Sequence, residues 1–202
     1  MKEIISFLGL AGFVSLLSLA ATWVAIVFLI EGEPFLAIYS ALAAFLLDSL
    51  DGYIARNRHT ESVFGRQLDS MVDFLNYSVF SALLLLLYIA PNILGALVGF
   101  VIISTGALRL VRFNIEGLVQ ETGEKYYAGI VVCFLSFTAA LLFLGKHFLP
   151  EITFWVASPI LLALSILQLS RIKVRKTNMY PVWFTLAFLL LILTIWVDAW
   201  IK

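Results

Sequence analysis

Four of the five aspartates in this chain, Asp48, Asp51, Asp69 and Asp73, fall within one stretch of 26 residues. Each lies inside or at the end of a strongly apolar run. A lone charge at mid-membrane costs roughly 2.5–3.5 kcal/mol on insertion scales, so ionisable groups in such runs are functional candidates. Asp48 and Asp51 are spaced i, i+3 and Asp69 and Asp73 i, i+4, so on helices each pair shares one face. Only the short basic connection Arg58–Glu61 separates the two runs. The helices are therefore expected to be antiparallel, with both pairs about two to three turns from the same boundary. Facing each other, the pairs would gather up to four negative charges in one place, a repulsion that divalent cations relieve. All-oxygen ligation suits Mg²⁺ or Mn²⁺ better than zinc. Two such ions about 4 Å apart are a standard device for displacement at phosphorus. Gly52 and Ala55 sit beside the first pair, and Gly65 lies one turn before Asp69; small residues there let a ligand approach the backbone. Arg56 and Arg66 flank the cluster and could meet phosphate oxygens.

The elements that must carry these groups follow from composition. Of 202 residues, 62% are hydrophobic and 13% charged, and the mean hydropathy is +1.04. A soluble domain is nearer half apolar and a quarter charged. An ordinary soluble enzyme, a disordered chain and a basic nucleic-acid-binding domain are thereby excluded, and an integral membrane protein is indicated. The single cysteine, Cys133, rules out an internal disulfide framework, and the only histidines, His59 and His147, make a histidine-rich metal centre a poor fit.

The apolar runs predict an all-α, polytopic fold with seven spans: Ile4 to Ile30, Phe35 to Arg56, Val63 to Ala90, Asn92 to Phe113, Tyr127 to Leu149, Ile152 to Ser170 and Tyr180 to Trp200. Six form a core, about 4–171, and the seventh, about 180–200, is an addition; the whole chain, 1–202, reads as one membrane domain. The first run is too long for the core of a signal peptide. Eleven of the 13 Lys and Arg residues fall at one set of span ends, against Lys146 and Lys202 at the other. The positive-inside rule then places the amino terminus and the aspartate cluster in the cytoplasm and the carboxyl terminus outside. Trp155, Trp196 and Trp200 fall near one interface and Tyr180 and Trp183 near the other, as aromatic belts would.

Further polar residues accompany the cluster. Arg109 and Arg112 share a face near the end of the fourth span. They either anchor that helix end or bind a donor phosphate or an acceptor carboxylate; Lys125 could do the same. Asn114 could cap the helix or reach substrate. Lys173, Arg175 and Lys176 suit anionic lipid heads. Cys133 reads as a packed, inert thiol, and His59 as a surface residue beside the site.

Read as one string, Asp48-Ser-Leu-Asp51-Gly52-Tyr-Ile-Ala55-Arg56, eight residues, Gly65, three residues, Asp69, three residues, Asp73 resembles the signature of the CDP-alcohol phosphotransferases. The resemblance implies a polytopic enzyme, often a homodimer, that moves a substituted phosphate from a CDP-linked donor to an alcohol and releases CMP. It also implies roles by position. Asp48, Asp51 and Asp69 would bind two divalent ions, Mg²⁺ or Mn²⁺, that hold the CDP pyrophosphate. Asp73 would be both metal ligand and general base. Asp48, Gly52, Ala55, Arg56, Gly65 and Asp69 would line the nucleotide site, with Arg66, Arg109, Arg112, Asn114 and Lys125 available to substrate phosphate or acceptor.

Ser70 and Phe74 after the last two aspartates, and the segment Leu108-Arg109-Leu110-Val111-Arg112-Phe113-Asn114, are similar to the phosphatidylserine synthase branch. Tyr126-Tyr127-Ala128-Gly129-Ile130 loosely resembles that branch's Phe-x-Gly-Leu-Pro, with Val131 where proline is usual. The stretch Phe74-Leu-Asn76-Tyr77-Ser78-Val79 departs from its Phe-Gly-Val-x-Pro. The implied reaction is transfer of a phosphatidyl group from CDP-diacylglycerol to a small alcohol, with serine first and choline, another amino alcohol or a polyol phosphate as alternatives. A carboxylate-lined cation transporter is the rival from a different class. It would need acids in the opposite halves of the spans, where only Asp198 occurs.

Overall fold

The computed structural model describes residues 2–60, 62–117, 119–121, 124–175 and 180–202. Its helices are α1 (Lys2–Glu31), α2 (Pro34–Asn57), α3 (Val63–Ile89), α4 (Ile93–Glu116), α5 (Cys133–Lys146), α6 (Pro150–Gln168) and α7 (Tyr180–Ile201). Six of these are long and apolar enough to cross a bilayer, and the chain is an integral, multi-pass, all-α membrane protein. In α1 the membrane-length part starts at Gly9 (φ +53), where the helix is kinked.

The helix boundaries have local causes. Pro34 opens α2, where its missing N–H is not needed. Ser62 caps α3 by accepting from the Gly65 N–H at 2.9 Å, and Asn92 caps α4 by accepting from the Gly95 N–H at 2.9 Å. Helix α3 is not uniformly α-helical. Phe74–Val79 and Leu85–Ile89 are π-helical, a local widening that is frequent at functional sites.

The fifth span departs from expectation. The apolar run predicts one crossing from Tyr127 to Leu149, but the helix begins only at Cys133 and has 14 residues. That is about 21 Å at 1.5 Å per residue, short of the roughly 30 Å hydrocarbon core. The preceding residues are spent on a small antiparallel sheet that the helical periodicity gave no reason to expect. Strands β1 (Val119–Glu121), β2 (Glu124–Ala128) and β3 (Lys173–Arg175) pair in the order β1-β2-β3, with Tyr127 opposite Val174. Gly129, at φ +81, then turns the chain away from β2. A Cβ at that position would overlap the Gln168 carbonyl, so the turn packs directly on the end of α6.

Between helices the contacts are close rather than merely apolar, as expected where lipid competes equally for hydrocarbon and packing must come from short approaches. Gly99 of α4 lies against Ala82 of α3, and a Cβ at Gly106 would overlap Ser78 Oγ and stand 2.8 Å from its Cβ. This seam of small residues draws α4 onto the π-helical part of α3. On the other side Ser18 of α1 donates to the Ala44 carbonyl of α2 at 2.9 Å. Helix α7 lays the stripe Ala187, Leu190, Thr194, Val197, all buried, onto the body, with Trp183 edge-on to Phe134 of α5 at 4.9 Å between ring centroids.

Candidate active site

The last turns of α2 and the first turns of α3 bring their acids together. One carboxylate oxygen each from Asp48, Asp51 and Asp69 lies within 4.8 Å of the others. Asp51 is buried and Asp48 and Asp69 are half-buried. Asp48 Oδ1 and Asp51 Oδ2 are buried without a hydrogen-bond partner among the described residues. Leaving acceptors of this kind unpaired is costly. Three converging hard oxygen donors with unused lone pairs are a donor set that a divalent cation fits. Helix α1 closes one side, where the Ser15 hydroxyl interacts with Asp51.

Asp73 is not part of this triplet. It lies one turn further along α3, where its carboxyl interacts with Asp48, Asp69 and the guanidinium of Arg109. Arg109 is buried, and its Nε donates to the Ile130 carbonyl at 3.0 Å. The Gly106–Ser78 approach one turn away is what carries Arg109 across to Asp73.

The other residues singled out from the sequence divide by surroundings. Arg56 is exposed and interacts electrostatically with Asp51 and Asp69. Its guanidinium lies over Gly52, where a Cβ would come within 3.0 Å of Nη2. Gly52 thus makes room for the Arg56 guanidinium. Ala55 is half-buried on the same helix, and Arg66 is exposed. Gly65 is the residue whose N–H meets the Ser62 cap.

Arg112, the i+3 partner of Arg109, has a different environment. Its Nη1 donates to the Leu169 carbonyl at 2.9 Å, and its Nη2 reaches the carbonyls of Ala128 at 2.7 Å, Gln168 at 3.0 Å and Ser170 at 3.4 Å. It ties the end of α4 to the turn after β2 and to the end of α6. Asn114 does not cap α4, which ends at Gly117. Instead it accepts from the Ser70 hydroxyl at 3.0 Å and donates to Gln67 Oε1 at 3.1 Å, linking α4 to α3. Lys125 sits in β2, with its side chain outside the described part of the chain, as is Lys176 altogether. His59, exposed in the loop after α2, adopts φ 52.

The structure adds Tyr77 and Ser15, which the motif spacing does not point to. Tyr77 donates its phenolic proton to Asp48 Oδ2 at 2.7 Å. Tyr77 lies four residues after Asp73, on the same helix face; the sequence around Ser15 carries no comparable signal. At the far end of the spans Asp198 is held by Tyr39 at 3.3 Å and by Lys202 at 3.1 Å. Among the described residues nothing links it to the cluster.

The family model for CDP-alcohol phosphatidyltransferase matches residues 8–166, from α1 through most of α6. The chain belongs to the CDP-alcohol phosphatidyltransferase family. Among its relatives, archaetidylserine synthase of Methanothermobacter thermautotrophicus is 31% identical over 182 residues, covering 88% of this chain and 74% of the relative. The CDP-diacylglycerol–serine O-phosphatidyltransferase of Helicobacter pylori is 31% identical over 144 residues, 68% of this chain and 60% of that protein. The enzyme of the same name from Methanocaldococcus jannaschii is 39% identical over 90 residues, 44% of each chain. The match thus spans about three quarters of the first relative and three fifths or less of the other two.

Proposed function

We propose that this protein transfers a phosphatidyl group from CDP-diacylglycerol to serine, with Mg²⁺ or Mn²⁺ as cofactor, and releases CMP. The observation that carries the reading is the convergence of Asp48, Asp51 and Asp69 within 4.8 Å, with Asp73 and Arg109 beside them. A pair of divalent ions held there by Asp48, Asp51, Asp69 and Asp73 would neutralise the pyrophosphate and the departing CMP. Asp73, next to the triplet but outside it, takes the proton of the acceptor hydroxyl. The hydroxyl oxygen forms its bond to the phosphatidyl phosphorus as the P–O bond to CMP breaks. Gly52, Ala55 and Gly65 leave room for the nucleotide, and Arg56 and Arg66 meet its phosphates.

Serine as acceptor is supported by the names of the relatives and by the buried guanidinium of Arg109 beside Asp73, a group type that suits a carboxylate. Arg112 and Asn114, by contrast, spend their hydrogen bonds on protein partners. They position the acceptor side without touching substrate. We place the site and the amino terminus in the cytoplasm, α7 as an addition to the transferase body (about 4–171), and two copies in the working assembly. The reading is tested by giving the purified protein CDP-diacylglycerol, Mn²⁺ and a panel of serine, choline, ethanolamine, glycerol phosphate and inositol phosphate, and following CMP. Serine should give the highest turnover. Release with another acceptor alone would move the specificity, and no release with any would overturn the reading.

A further inference from the structure

The two oxygens of Asp48 have different surroundings. Oδ2 accepts from the Tyr77 hydroxyl at 2.7 Å, whereas Oδ1 is buried with no partner among the described residues. Tyr77 itself is only 3% exposed. Its ring is held edge-on by Phe45 (centroids 6.5 Å apart), which packs in the same way on Phe137 (5.1 Å). Beside the ring lies a small, mainly apolar cavity that Tyr77 lines together with Ile38, Leu42 and Phe80. The phenol therefore stands at the border between the carboxylates and the hydrocarbon core, its body in one and its hydroxyl in the other. A buried tyrosine hydroxyl needs a partner, and Asp48 is the one it has.

We propose that Tyr77 is a positioning residue for the metal site. Its hydroxyl fixes one oxygen of Asp48 from the membrane side and so presents the other to a divalent cation shared with Asp51 and Asp69. This rests on the metal-dependent reading above. A carboxylate turns freely about its terminal torsion unless something holds it, and a hydrogen bond to the charged acceptor is among the stronger restraints available. Loss of such outer partners typically lowers metal affinity about 10- to 100-fold. Because Phe45 fixes the ring independently of the hydroxyl, packing and positioning can be separated by substitution.

The experiment is a Mn²⁺ titration of the full chain in detergent micelles, read by the EPR signal of free Mn²⁺, with thermal unfolding measured on the same samples. Tyr77→Phe keeps the ring and should weaken Mn²⁺ binding about 10- to 100-fold with little change in Tm. In an Asp48→Asn background the same substitution should add nothing, because the residue it acts through is gone. Phe45→Leu should lower Tm and leave Mn²⁺ affinity within about twofold of the parent. Parent-like Mn²⁺ affinity in Tyr77→Phe, or equal weakening in Phe45→Leu, would overturn the proposal while leaving the metal-dependent reading intact. A parent protein that binds no Mn²⁺, and turns over CDP-lipid in excess EDTA, would overturn both.

Discussion

Asp73 and Arg109 are the residues on which the proposed chemistry and the proposed specificity divide. If Asp73 is the base, Asp73→Asn should lower turnover by about 10²–10⁴-fold. The triplet of Asp48, Asp51 and Asp69 is left in place, so CMP and Mn²⁺ binding should persist in equilibrium titrations; loss of both would make Asp73 chiefly a ligand. Arg112 has a different expected phenotype. Arg112→Ala strips partners from the carbonyls of Leu169, Ala128 and Gln168, at roughly 1–3 kcal/mol for each that stays buried and unpaired. A large fall in Tm is expected, and Arg112→Lys should recover little of it, since an ammonium lacks the planar fork. An Arg112→Ala protein of parental Tm with a raised serine KM would instead make Arg112 a substrate ligand.

Among elements, the site depends on how closely α4 approaches α3. The overlap that a Cβ at Gly106 would make with Ser78 predicts that Gly106→Val forces the helices apart, at a cost of about 1–3 kcal/mol or more. Arg109, one turn away, should move with the helix. The expected kinetic signature is a raised KM for the acceptor with Mn²⁺ affinity retained, because the triplet is built on α2 and α3. The small sheet and the Gly129 turn act similarly from the other side. Gly129→Ala meets both a left-handed backbone (φ +81) and the Gln168 carbonyl, so it should destabilise the turn that supplies the Ile130 carbonyl to Arg109.

For the whole molecule, the asymmetry of Lys and Arg sets the expected orientation. In a Cys133→Ser background, Lys202→Cys should be labelled in intact cells by a membrane-impermeant maleimide. Arg58→Cys should be labelled only after permeabilisation. The reverse pattern would invert the topology and place the acidic cluster on the outer face. Helix α7 contributes no carboxylate to the cluster, and its acid, Asp198, is paired with Lys202 and Tyr39 at the far end. A continuous acidic path through the bundle, as a cation transporter would need, is not present among the described residues.

The polytopic helical fold, the pairing of acids on two adjacent helices and the family resemblance could all be read from the sequence. Each depends on local pattern: run length, i, i+3 and i, i+4 spacing, and fixed gaps between motif residues. The tertiary structure decided what depends on approach between distant segments. It grouped Asp48, Asp51 and Asp69, with Asp73 against Asp48 one turn further on, and it gave Arg109 and Arg112 unlike partners despite their shared helix face. It shortened the fifth helix to 14 residues by pairing β2 with β3, strands separated by two helices in the chain. It also brought Tyr77 to Asp48. Hydrophobic periodicity reports which face of a helix is apolar, but not which hydroxyl or carbonyl from another helix will meet it.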